Sequence, residues 1–80
     1  MTDLDWLEEV HDKCTRVILR WPDADEILKH VRIPAQRALQ ADRVDEETLV
    51  AIHGNLSAVV VNYPDFEDDL LPTLNKIKQI

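Results

Sequence analysis

His11 and Cys14 lie three positions apart, so on a helix they share a face, and a thiol beside an imidazole is a pairing that can generate a thiolate nucleophile. Such a dyad also needs a group that orients the imidazole and donors for an oxyanion, and the neighbouring residues supply neither. His11, His30 and His53 are too far apart for a His-x-x-x-His spacing, and one cysteine cannot make a Cys-x-x-Cys, so no metal site is expected. A phosphate-cradling loop needs several glycines, whereas the chain has only Gly54; its one serine, Ser57, falls inside a helical pattern rather than on an exposed turn. Carboxylates are plentiful, but they cluster at expected helix starts, open to water, where nothing pushes two pKa values apart as acid–base catalysis requires. No catalytic, cofactor-binding or metal-binding residue is assigned, no small-molecule substrate is expected, and the chain reads as a non-enzyme.

Composition narrows the remaining classes. Eighty residues make one domain, 1–80, too short to enclose a large active-site cavity and still keep a sufficient core. Hydrophobic residues at 45% and a single glycine suit a compact helical domain, and neither an internal repeat nor a linker stands out. Residues 1–9 are acidic where a secretory signal would be basic, and no apolar run has the length of a membrane span. With one cysteine unable to form an internal disulfide, these features imply a cytoplasmic protein with no membrane partner. The net charge of −7 argues against nucleic acid as a partner and favours a basic one. Part of that charge has a local cause, since the acids group where helices are expected to begin and the macrodipole favours each by about 0.3–1 kcal/mol.

The elements follow from the period of the apolar residues. Residues 44–61 are apolar on more than one face: Leu49, Ile52, Leu56 and Val59 make one stripe, while Val50, Ala51, Ala58, Val60 and Val61 widen it. A helix of this kind is expected to be central and buried, capped by Asp45, stapled by Val44 onto Leu49, and crossed closely by a neighbour at Ala51, Gly54 and Ala58. Before it, Leu7, Val10, Cys14, Val17 and Trp21 recur at helical spacing, with Glu9–Lys13 and Asp12–Arg16 able to pair on the solvated side. Trp21-Pro22 ends that helix, and Asp23 with Glu26 resembles a capping box for the next, which Pro34 should kink or divide. After Tyr63-Pro64 a last helix starts by Asp65 or by Asp69, with Leu70, Leu71, Leu74, Ile77 and Ile80 facing inward and Lys76 and Lys78 near its C-terminal end. The expectation is an all-α bundle of four main helices near 3–20, 24–40, 45–61 and 66–79.

Several short signals come in a recognisable order: Arg20-Trp21-Pro22 after the first helix, Asp42-Arg43 before the central one, the Leu49/Ile52 spacing leading to Gly54 and Ala58-Val59, then Tyr63, a run of acids, and Asp69-Leu70 with Leu74. This order resembles small all-helical immunity proteins that bacteria co-produce with toxic effectors of the type VI secretion system, in particular the group paired with NAD-glycohydrolase-type toxins. The resemblance implies a cytoplasmic inhibitor that binds a cognate effector toxin domain, nucleotide- or NAD-directed, and covers its active site. Which chemistry the toxin performs stays open. A rival reading from another class is a helical adaptor or antiactivator that binds a regulatory protein.

An up-down bundle brings the starts of the second and fourth helices to one end, where Asp23, Asp25 and Glu26 meet Asp65, Glu67, Asp68 and Asp69. Four acids within the five residues 65–69 exceed what one helix start needs, so this end is the expected partner surface, with Tyr63 and Phe66 as apolar anchors. The exposed faces of the first two helices around Glu8, Asp12 and Lys29 are the other possibility. The core is expected to hold Leu7, Val17, Ile27, Val31, Leu49, Ile52, Leu56, Val59, Leu70, Leu74 and Ile77. Leu56→Ala should cost about 2–5 kcal/mol by leaving a cavity, and a shifted chemical-denaturation midpoint is the measurement that checks it.

Overall fold

The computed structural model describes residues 2–77. Its elements are α1 (Asp3–Arg20), a 3-10 turn (Pro22–Ala24), α2 (Asp25–Ala41), α3 (Glu46–Asn62), a second 3-10 turn (Pro64–Phe66) and α4 (Glu67–Leu74), with no strand among the described residues. The all-α bundle of four main helices is therefore present. Each helix packs against two others in a ring: α1 against α2 and α4, α3 against α2 and α4. Thr2 caps α1 in a full capping box, accepting from the Asp5 amide at 3.1 Å while Asp5 accepts from the Thr2 amide at 3.3 Å. Asp45 caps α3 as expected, accepting from the Thr48 amide at 2.7 Å, and that bond holds its carboxyl below the usual range.

Two local expectations change, at the starts of α2 and α4, and the choice left open at Pro34 is decided. Asp23 and Glu26 make no capping box, because Pro22–Ala24 coils directly into α2 and Ala24, in the right-handed helical region, needs no side-chain cap. The same happens at α4, where neither Asp65 nor Asp69 caps and Phe66 stands at the N-cap position in helical conformation. Pro34 does not divide α2, which runs through it to Ala41; Pro34 and His30 lie toward the half-exposed side, where water can take the carbonyl that proline leaves without a donor. The helix ends instead at Asp42, whose left-handed φ of 55° lets the Asp42 and Arg43 amides close back on Leu39 and Ala38. The last helix stops at Leu74, five residues short of the expected 79, and Lys78 and Ile80 lie outside the described residues.

One core joins all four helices, with Leu7, Leu28, Val31, Ile52, Leu56 and Leu70 fully buried. Ile27 and Ile77, expected inside, are half-buried at its edge. The larger correction concerns α3. Only one of its faces is covered, by Leu49, Ile52, Leu56, Val59 and Val60, while Val50 is 46% and Val61 75% exposed and Ala51, Gly54 and Ala58 face solvent. No helix crosses at Gly54, where an added Cβ would meet nothing within 4 Å. A ring of four helices has no fifth element to cover that side, so α3 is a member of the ring rather than its centre.

The structure also contains a repeat that the composition concealed. α1, its turn and the start of α2 match α3, its turn and α4 at the constant interval that separates Trp21 from Tyr63. Leu7, Val10, Cys14 and Val17 answer to Leu49, Ile52, Leu56 and Val59; beyond the turn, Ala24, Leu28 and Val31 answer to Phe66, Leu70 and Thr73; all are buried. The turns agree in backbone detail. Trp21 and Tyr63 both have φ −130°, with ψ of 89° and 80°. Their amides donate to Val17 and Val59 at 2.8 and 2.9 Å, and the Ala24 and Phe66 amides donate back to the aromatic residues' carbonyls at 2.8 and 3.0 Å.

Two cross-ties fasten α4 onto α1. Trp6, 1% exposed, donates its indole N–H to the Thr73 carbonyl at 2.7 Å. Glu9 does not pair with Lys13; its Oε1 accepts from Lys76 at 2.7 Å, and the Thr73 hydroxyl lies beside the same carboxylate. The Lys76 hydrogen bond is the main cause that holds the Glu9 carboxyl below its usual range, partly opposed by desolvation. A folded-state pKa below the unfolded one stabilises the fold above the unfolded value, and the contribution disappears as pH falls through the folded value. Glu9→Gln should therefore lower the urea midpoint at neutral pH and leave it almost unchanged in acid, compared with the parent chain at each pH.

Candidate functional site

The end of the bundle where both aromatic-proline turns lie is the candidate site. Each turn closes a helix at the same end because proline forces the residue before it out of the helical region. Trp21 and Phe66 meet with ring centroids 5.4 Å apart, and Tyr63 stacks on Phe66 at 5.7 Å and 22°. Phe66 is 7% exposed and supports the cluster from within, whereas Tyr63, 40% exposed, and Trp21, 36% exposed, present their rings to solvent. Phe66 is thus a support for the expected anchor rather than an anchor itself. Arg20 and Trp21, outside the expected partner surface, belong to it: the Arg20 guanidinium lies 5.1 Å from the Trp21 ring centroid and 3.8 Å from the Asp69 carboxylate. The repeated aromatic-Pro-Asp triplet, Trp21-Pro22-Asp23 and Tyr63-Pro64-Asp65, was the signal that could have found them.

The expected acids do gather around these two turns, but not as one uniform cluster. Asp25 is bound to Arg32 at 3.3 Å, Glu26 to Lys29 at 3.0 Å and Asp69 to Arg20. Asp23, Asp65, Glu67 and Asp68 are exposed and have no salt bridge or side-chain hydrogen bond among the described residues. Beside them a shallow groove of about 340 Å³ runs between α2 and α3, walled by Ile27, Ala58 and Val59 and ending on Glu26, Asn62 and Tyr63.

Elsewhere the chemistry-bearing residues are not assembled. Asp12 pairs with Arg16 at 3.4 Å on the open face of α1. His53 tilts against Trp6, with ring centroids 6.3 Å apart. No group of three or more His, Cys, Asp or Glu with the geometry to hold a metal ion occurs among the described residues. No described helix is long and apolar enough to cross a membrane.

Comparison of the chain with protein families, with characterised proteins and with solved structures gave no match.

Cys14 is fully buried in the core, and burial pushes its thiol up to about 12, away from the thiolate that a dyad with His11 would use. An aromatic disulfide reagent should leave Cys14 untouched in the native protein at neutral pH and titrate it fully in denaturant, as read by the released chromophore.

Proposed function

We propose that this chain is a non-catalytic immunity protein that binds a cognate antibacterial effector toxin, nucleotide- or NAD-directed, in the cytoplasm and blocks its active site. The observation that carries this reading is the convergence of two aromatic-proline turns with Asp23, Asp65, Glu67 and Asp68, carboxylates that no cation of the described chain neutralises. Like charges left together on one end cost folding energy, and a basic partner turns that cost into attraction. A cleft that handles a phosphorylated nucleotide carries the complementary charge, and Tyr63 with Trp21 offers the rigid, half-exposed aromatic surface on which interface energy concentrates. The function so read needs no cofactor, no metal and no nucleic acid.

A second reading, a helical adaptor for a regulatory protein, is favoured by a different surface. The outer face of α3 exposes Val50, Ala51, Gly54, Ala58 and Val61, and residues 48–64 contain no Asp, Glu, Lys or Arg in a chain that is 31% charged. An uncharged, small-residue helix face suits another helix laid along it.

The two readings separate experimentally. The protein that co-purifies with the tagged chain from its native cell is identified, and its affinity for two variants is measured at low salt. Under the immunity reading, Glu67→Lys with Asp68→Lys slows association and weakens binding by more than about tenfold, with the circular-dichroism spectrum and melting temperature unchanged. Loss of binding in Val61→Lys with full affinity in the acid-reversed variant would instead support the adaptor reading and overturn the first.

A further inference from the structure

The repeat that relates the two halves of the chain breaks at one position that matters for binding. In the first half the last residue of α1, Arg20, lays its guanidinium 5.1 Å from the Trp21 ring centroid and 3.8 Å from Asp69 of the neighbouring α4. The corresponding residue at the end of α3 is Asn62, and the corresponding ring is Tyr63. The neighbouring helix is now α2, and the counterpart of Asp69 is Ile27, with the Glu26 carboxylate next to it. Asn62, Tyr63, Ile27 and Glu26 all line the groove of about 340 Å³ between α2 and α3. The second turn therefore has the aromatic face and a nearby carboxylate, which pairs with Lys29, but among the described residues no guanidinium lies over its ring.

We infer that this groove binds an arginine side chain supplied by the partner, in the position that Arg20 occupies in the other half. The proposal rests on the reading of this end as a protein-binding surface and adds the chemical class of the partner's anchoring residue. A guanidinium is planar, stacks on an aromatic face and forks onto a carboxylate, whereas an ammonium is a compact, strongly hydrated charge. Tyr63, 40% exposed, supplies the platform, Ile27 the apolar wall for the side-chain stem, Glu26 the counter-charge and Asn62 an amide oxygen. Lys29 stands 3.0 Å from Glu26, but the Glu26 side chain is 80% exposed, and an exposed pair of this kind is weak enough for an incoming guanidinium to exchange with it. The acids that follow Tyr63 in the same turn and at the start of α4, Asp65, Glu67 and Asp68, then steer the basic partner, while the groove selects arginine over lysine.

The test titrates the full chain, labelled for NMR, with hexa-arginine and with hexa-lysine at low salt. The expected result is that hexa-arginine perturbs the amides of Glu26, Ile27, Asn62 and Tyr63 and binds at least about threefold more tightly than hexa-lysine. Asn62→Arg, which places the chain's own cation beside Tyr63, should abolish that preference, as should Tyr63→Leu, with both variants retaining the parent's helical circular dichroism. Equal affinity for the two peptides, perturbations confined to residues 65–69, or an unchanged preference in Asn62→Arg would each overturn the groove assignment. Failure of the immunity reading shows separately, in the affinity of the co-purified partner for Glu67→Lys with Asp68→Lys, a measurement that uses neither peptide.

Discussion

The bundle depends on one backbone constraint used twice: an aromatic residue followed by proline. Trp21 and Tyr63 are each driven out of helical conformation by the following ring, yet the next residues coil at once into a 3-10 turn that feeds the following helix. The chain thus reverses within a few residues and keeps nearly every amide in use, which is why neither reversal needs a side-chain cap. Both reversals occur at the same end, so the aromatic rings meet there, and the contact of Trp21 with Phe66 ties one helical hairpin to the other.

The two halves are then held together by unequal means. α1 and α2 are long and bury a continuous stripe, whereas α4 has only eight residues, Glu67–Leu74, and contributes few core side chains. It is compensated by directed bonds: the Trp6 indole to the Thr73 carbonyl, and Lys76 to Glu9. Both reach from the first half of α1 to the last turn of α4 or the residues just past it, at the end away from the aromatic cluster. The short helix is therefore secured at its two ends, by Phe66 and Asp69 at one and by Thr73 and Lys76 at the other.

That arrangement leaves two surfaces of opposite character. The turn end concentrates carboxylates around half-exposed rings, and the outer side of α3 carries no charge beyond Glu46 and Glu47 in its first turn. The first suits diffusional steering of a basic partner and the second suits close helix contact. They adjoin through Ala58, which faces solvent from α3 and also lines the groove that ends on Tyr63.

The sequence by itself determined the fold class, the helix count and most boundaries, because the apolar period, the Asp45 cap and the two X-Pro steps are local signals read within a few residues. It also placed the acids and Tyr63 at one end, since short reversals between helices fix which termini are neighbours. Tertiary structure decided what depends on the neighbour rather than on the period. Whether α3 is covered on one face or two depends on how many helices surround it, so Val50, Gly54 and Val61 read as buried and are exposed. Trp6, set among Asp3, Asp5, Glu8 and Glu9 and outside the apolar stripe expected of the first helix, is buried because α4 brings the Thr73 carbonyl to its indole. The repeat is faint in the sequence for a related reason: beside the two aromatic-Pro-Asp triplets and pairs such as Leu7 and Leu49, other matching positions, such as Cys14 and Leu56 or Ala24 and Phe66, differ in size, and the likeness is complete only in burial and backbone angles. The guanidinium on Trp21 and its missing counterpart on Tyr63 became visible only when α4 and α2 supplied the carboxylates that flank them.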